Sequence, residues 1–359
     1  MFRAKRTTIH VILAILAILS LAACGSPETQ KKRLLEAGNK YFNENKFKEA
    51  SIIYRKALQK DARYGEAYYR LGLSELRMGR FGEALRALER ASELQPENED
   101  AHSRLGDLYL SIYLSDKNRF KQLLGDFSEL ADRMLKKNPN SFAGLRMKGY
   151  QYVAENKVAE AASYFEKALK VKPGDASILL AYVQALSRGD ERPRALTLAR
   201  EALAKHKSFG PLYDFLYLNA LADKNIPEAE SILKSKVDNN PRIAVYYTEL
   251  AAHYLRARKD AEMRATLARL TSNKKDFPTG HKTAGDFYFR IGAFDSAITE
   301  YEAGIQTDPG AKKDYQKRIV EVMNLQGRRG EAVALANKVV EENKDDAEAQ
   351  AIRASLRMR

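Results

Sequence analysis

The sequence predicts an all-α chain, a right-handed solenoid of about nine helix pairs closed by a C-terminal capping helix, and three observations predict it. The first is composition. Of 359 residues 45% are hydrophobic and 30% charged, with ten Pro and no Trp, a balance that fits a helix-rich globular class and excludes a disordered chain. The second is the stretch from Gly65 to Asn98, where Tyr68, Leu71, Gly72 and Glu75 recur at helical spacing. A Gly79-Arg80 turn leads to a second helix with Ala84, Leu88 and Ala91 on one face, and Pro96 ends it. The third is that this 34-residue pattern returns along the chain, while the alternating apolar runs of strands are missing.

One such pair cannot bury its apolar surface alone. Gly72 and Ala84 leave room for two backbones to approach, Tyr68, Leu71 and Leu88 fill what remains, and the open side needs a neighbouring pair. The Leu71-Gly72 pair, Ala84 and the closing Pro96 stand where the tetratricopeptide repeat has them, and the stretch closely resembles that family. The resemblance implies stacked antiparallel helix pairs and a protein-binding role.

The chain opens with a segment read as a targeting signal, residues 1–23. Arg3, Lys5 and Arg6 form a basic start, and Val11 to Ala23 is an unbroken run of small and apolar residues, the length of a signal-peptide core and too short to span a bilayer. The ending Leu21-Ala22-Ala23-Cys24-Gly25 resembles the bacterial lipoprotein signal, which implies that Cys24 is acylated and becomes the mature N-terminus. Cys24 is also the only cysteine, so an exported chain has no internal disulfide to make with it. Gly25 in place of Asp implies, by the same resemblance, transfer to the outer membrane with the body facing the periplasm. Residues 24–30 then read as a lipidated polar tether, with Pro27 and no apolar periodicity between Ser26 and Gln30.

The repeats fill residues 31–345. The first runs from Lys31 to Tyr64, with Leu34, Ala37, Gly38 and Tyr41 in its first helix and Ala50, Tyr54 and Ala57 in its second. In the third, His102, Leu105, Gly106 and Tyr109 keep register, but Pro139 follows Pro96 by 43 residues instead of 34. Nine extra residues therefore lie around Ser115 to Gly125, predicting a protruding loop or added turns at the helix junction. Later units begin at Phe142, Ala176, Gly210, Ala244 and Pro278, and the small residue of the second helix recurs at Ala161, Ala195, Ala229 and Ala297, with Met263 departing. A ninth unit from Lys312 slips by one residue at Ala332, and residues 346–359 read as the capping helix with Ala349, Ile352 and Leu356 on one side. The whole is read as one elongated domain.

Charge and motifs narrow the function classes. The net charge of +14 is spread among interleaved Asp and Glu without long runs, which favours a solvated surface over a nucleic-acid binder. There is no glycine-rich phosphate loop, no HExxH, no nucleophile elbow and no paired-Cys metal spacing. Beyond His10 in the leader, His102, His206, His253 and His281 lie far apart and read as structural. No catalytic residue, metal site or cofactor is expected.

Places two, five, six, nine and thirteen of each first helix point away from the repeat core in this reading. Arg70 and Arg104 stand at place six and Arg146 one place earlier; with Tyr69, Tyr150 and Asn39 they form a candidate basic, aromatic-edged partner groove. Arg suits such a groove because its planar fork binds carboxylates bidentately and stacks on rings. The carboxylate clamp of chaperone-binding members of the family is a poorer match. Asn39 and Arg104 agree with it, but Leu35, Arg70 and Asp100 replace its Lys, Asn and Lys. The expected function is a non-enzymatic, lipid-anchored scaffold that binds envelope protein partners in assembly or secretion. The alternative is a basic binder of anionic polymer, exported polysaccharide or peptidoglycan.

Overall fold

The computed structural model describes residues 27–342 and 344–357. The leader, Cys24 and the start of the expected tether lie outside the described residues. Nineteen α-helices succeed one another, with no strand among the described residues. They are α1 (Pro27–Asn43), α2 (Phe47–Lys60), α3 (Gly65–Arg77), α4 (Phe81–Leu94), α5 (Glu99–Ser115), α6 (Lys121–Lys137), α7 (Phe142–Ala154), α8 (Val158–Val171), α9 (Ala176–Arg188) and α10 (Arg192–Lys205). The series continues with α11 (Gly210–Ala222), α12 (Ile226–Asp238), α13 (Ala244–Arg256), α14 (Asp260–Thr271), α15 (Gly280–Arg290), α16 (Phe294–Thr307), α17 (Lys312–Leu325), α18 (Arg329–Glu342) and α19 (Ala347–Arg357). Consecutive helices pair into nine repeats, and α19 packs on the ninth.

The chain divides into two compact units between Ala195 and Leu196, inside α10. The reading of one elongated domain did not anticipate this division. The boundary falls within one continuous helix, so no linker marks it in the sequence. In the first unit one apolar cluster joins Leu88, Leu105, Phe127 and Met147, and another joins Tyr54, Leu71 and Ala87 around the first repeat. In the second unit a single cluster runs from Leu233 to Val322, and the cap adds Leu356 to Val320, Ala332 and Ala336.

Pairing depends on a missing side chain. A Cβ at Gly72 would stand 2.7 Å from Cγ of Leu88, which is fully buried. The same place in other repeats holds Gly38 under Tyr54, Gly149 under Phe165 and Gly285 under Tyr301. The turn between paired helices is equally regular. A residue with positive φ, namely Asn45, Gly79, Asn156, Asp190, Lys224, Arg258, Gly292 and Gly327, reverses the chain in every repeat but the third. There α5 is four residues longer than α3, α6 three longer than α4, and the junction two longer than its counterpart, which accounts for the nine extra residues as about one added turn on each helix. The slip at Ala332 has a similar cause, since α17 is one residue longer than α3.

Two buried charges clip neighbouring repeats. Glu75, fully buried on α3, accepts from Ser51 Oγ at 2.6 Å and from Arg55 Nη2 at 2.8 Å, both on α2. In the second unit Lys236 on α12 is 1% exposed and holds Asp214 of α11 at 2.5 Å and Glu249 of α13 at 2.6 Å.

Three local expectations are corrected. Residues 27–30 are the first turn of α1 and not a tether, because Pro27 suits the first helical position and Glu28 stands near the dipole's positive end with Lys31 at 2.6 Å. On α1 the core is filled by Leu35 and Phe42, while Ala37 and Tyr41 are exposed. The eighth repeat begins at Gly280 and not at Pro278, since an Asn273 side chain that accepts from Asp276 N at 3.2 Å holds the preceding residues in a turn.

Gly72→Ala should therefore destabilise the chain by about 1–3 kcal/mol in urea unfolding, and Leu88→Ala introduced with it should recover part of that loss as a coupling term. Strict additivity of the two changes would remove the close approach as the cause.

Candidate functional site on the first helices

The expected groove residues lie on α1, α3, α5 and α7, all in the first unit. Place five turns inward, against expectation: Tyr69 is 7% exposed and belongs to the cluster with Leu105 and Leu108. Its hydroxyl donates to Asp100 on α5. Burial, reinforced by that carboxylate, pushes the Tyr69 pKa up to about 12. Tyr69 is thus a packing residue between two repeats rather than a ring open to a partner.

The arginines remain near the surface, but each is matched. The Arg70 guanidinium lies 5.5 Å from the Tyr69 ring centroid and its Nε donates to Glu66 Oε1 at 2.7 Å. Arg104 Nε is 3.8 Å from Asp100, the carboxylate that Tyr69 also meets. Arg146 on α7 reaches back to α5, donating to Ser103 Oγ at 3.0 Å and lying 2.7 Å from Asp107. The structure therefore joins Tyr69 and Arg104 through Asp100, sets Arg70 on the Tyr69 ring, and joins Arg146 to the helix that carries Arg104. Glu66, Asp100 and Asp107 answer the three cations one for one, which corrects the expected basic groove to a charge-balanced face. Exposed pairs of this kind contribute only about 0–1 kcal/mol, so an incoming carboxylate can replace one.

Asn39 and Tyr150 are held locally. Asn39 accepts from the hydroxyl of buried Tyr54 at 2.8 Å, within its own repeat. The Tyr150 ring is partly buried, meets Phe165 edge-on at 5.2 Å, and has its pKa raised by burial. Leu35, where the clamp would need a Lys, packs in the first repeat's cluster.

In the second unit the first helices present a different face, apolar and outside the arginine series. Leu218 is 63% exposed on α11 and Val245 53% on α13. Pro211 and Ala222 are exposed on α11 at places two and thirteen, with Phe215 partly buried between them. The stripe was visible in sequence, because α11 has a single charged residue, Asp214, and is apolar all round, a pattern that on a half-exposed helix leaves apolar side chains in water.

The histidines are engaged separately. Nε2 of His102 is 3.4 Å from the Ser92 carbonyl, and Nδ1 of His253 is 3.3 Å from the Tyr217 hydroxyl. Both rings are buried, and burial pushes both pKa values down. His281 meets Glu300 at 2.8 Å. No group of three His, Cys, Asp or Glu among the described residues could hold a metal ion, and no described helix is long and apolar enough to cross a membrane.

The geometry defines a protein of repeated antiparallel helix pairs. The model of the tetratricopeptide repeat family matches residues 69–112 and 146–211, so those stretches of the chain are tetratricopeptide repeats. Among curated proteins, the BBSome complex member BBS4 homolog of Drosophila melanogaster is 23% identical over 270 residues, 75% of this chain and 49% of that protein. The chain thus spans about half the length of that relative. Similar solved structures include TTC0263, a thermophilic TPR protein in Thermus thermophilus, at 20% identity and TM-score 0.42, covering 54% of this chain and 99% of that one. Another is YrrB, a TPR protein with an unusual peptide-binding site, at 21% identity and TM-score 0.41, covering 50% and 88%.

The lowered histidine pKa values set a pH dependence. Above about pH 6.5 His102 and His253 are neutral whether folded or unfolded; below it the unfolded chain binds protons that the buried rings refuse, so stability falls as pH drops. Urea midpoints measured from pH 7.5 to 5 are expected to decline, and His102→Gln with His253→Gln to flatten the decline. An equal slope in that variant would assign the effect to other groups.

Proposed function

We propose that the chain is a non-enzymatic, lipid-anchored scaffold of the bacterial envelope, held through Cys24 at the outer membrane with its repeats facing the periplasm, and that it binds protein partners through its first-helix faces. The observation that carries the binding part is the solvent-exposed apolar stripe of α11, with Val245 likewise exposed on α13. Exposed contiguous apolar surface of this kind marks interaction sites. The matched arginines of the first unit supply a separate set of exchangeable polar contacts, with Arg the residue type that dominates interface energies alongside aromatics. The curated relative is named as a member of a complex, which agrees with a scaffold role.

The anchoring part rests on the sequence Leu21-Ala22-Ala23-Cys24 and on Cys24 being the sole thiol. Several acyl chains hold a protein firmly where one gives only marginal binding. The polymer-binding alternative is weakened by the carboxylates that answer Arg70, Arg104 and Arg146.

Two experiments test the proposal. Metabolic labelling with a fatty acid is expected to mark the native chain and not Cys24→Ser; label retained by that variant would refute the anchor. Cross-linking in the native envelope, followed by identification of the captured protein, is expected to lose at least about tenfold in yield for Leu218→Asp with Val245→Asp and for Arg70→Glu with Arg104→Glu, the loss of roughly one hot-spot contact. Circular dichroism should stay unchanged in both. Wild-type capture by both variants would move the binding surface elsewhere, and capture that collapses with salt alone would favour polymer binding.

A further inference from the structure

The lengthened third repeat builds a second surface away from the first-helix faces. Because α5 and α6 each run about a turn beyond their neighbours, their tip overhangs the first turn of α4 and leaves an open cleft of about 510 Å³. One wall is Phe81 and Leu85 of α4; the other is Ile112 of α5 with Phe120 and Leu123 at the start of α6. Phe81 is 54% exposed, a large ring left in water at the mouth. The floor is Gly82, where an added Cβ would meet nothing within 4 Å.

The junction beside the cleft is basic. Lys117, Arg119 and Lys121 stand close in sequence there with one acid, Asp116, which is already used to accept from Arg119 N at 3.0 Å, and of the three Arg119 lines the cleft itself. Arg119 stacks on the Phe120 ring at 5.1 Å, and none of the three cations has a carboxylate within ion-pair distance among the described residues. This differs from the first-helix face, where every arginine of the series is answered. We propose that the cleft docks an amphipathic, acidic segment of a protein partner, its apolar side chains between Phe81 and Phe120 and its carboxylates on Arg119 and the neighbouring Lys117 and Lys121 of the junction. The apolar walls face each other across a concavity, which admits the edge of one helix and keeps a flat bilayer surface off the cleft floor.

The test uses the full chain and a fluorescent amphipathic peptide about four turns long, with Leu and Phe on one face and Glu and Asp on the other. Its counterpart carries Lys in place of the acids. Anisotropy is expected to show the acidic peptide bound at least about tenfold more tightly than the basic one, with the advantage shrinking as salt rises. Gly82→Trp fills the floor without touching the repeat core, so helicity should hold while acidic-peptide binding falls at least about tenfold. Lys117→Glu with Lys121→Glu should abolish the preference for the acidic peptide. Equal binding of the two peptides, or unchanged binding by Gly82→Trp, would overturn the proposal. So would a Gly82→Trp effect seen only on phosphatidylglycerol vesicles, which would assign the cleft to a membrane, or only on self-association at rising concentration, which would assign it to a second copy. The Leu218 and Val245 variants should bind the peptide normally, which separates this cleft from the first-helix surface.

Discussion

Two helices can lie as close as α3 and α4 only where one of them gives up a side chain. The vacancy at Gly72 is occupied by Leu88, and the vacancies at Gly38, Gly149 and Gly285 by aromatic rings. Each pair is thereby fixed internally, yet it still exposes an apolar side that only the next pair covers, so stability accumulates by neighbour contact instead of around one centre. Other features of the chain preserve that contact, from the left-handed turn residue found in every repeat but the third to the cap that packs on the last pair. The buried charges serve it too. Glu75 and Lys236 each reach from one repeat to the next, and a buried charge with fixed partners penalises any shift in their register.

Much of this was legible in the sequence, because a repeat period reports its own geometry. The spacing of Pro96 and Pro139 located the extension of the third repeat, and Ala349, Ile352 and Leu356 identified the capping helix. What periodicity cannot resolve is which of two adjacent aromatic residues turns inward. Tyr68 and Tyr69 are about 100° apart on α3, and a first helix packs against two neighbours at once, so both directions are apolar enough for either ring. Tyr69 took the more buried one. The pairing of Arg146 with Asp107 was hidden for a different reason, since it depends on how far α7 lies from α5 and not on any local motif. Pro27 was ambiguous from the start, as proline suits a linker and a first helical turn equally.

The polar and apolar faces also show why composition misleads about surface character. The arginines spaced along the first helices of a chain with a net charge of +14 suggest a basic groove, but local pairing removes that character where carboxylates stand a turn away or on the next helix. A cluster of cations without such pairing remains at Lys117, Arg119 and Lys121 on the tip of the third repeat. Conversely, α11 carries little charge and leaves apolar side chains in water.

A row of equal repeats has translational symmetry: a partner moved along by one repeat meets nearly the same shape again. The third repeat breaks that symmetry, because one extra turn on each helix raises a ledge of about 5 Å beside its neighbours. No other repeat among the described residues carries one. Within the first unit, a partner that abutted the ledge would meet it in one register and one direction only, and the repeats of that unit acquire a fixed origin from which positions along them are counted.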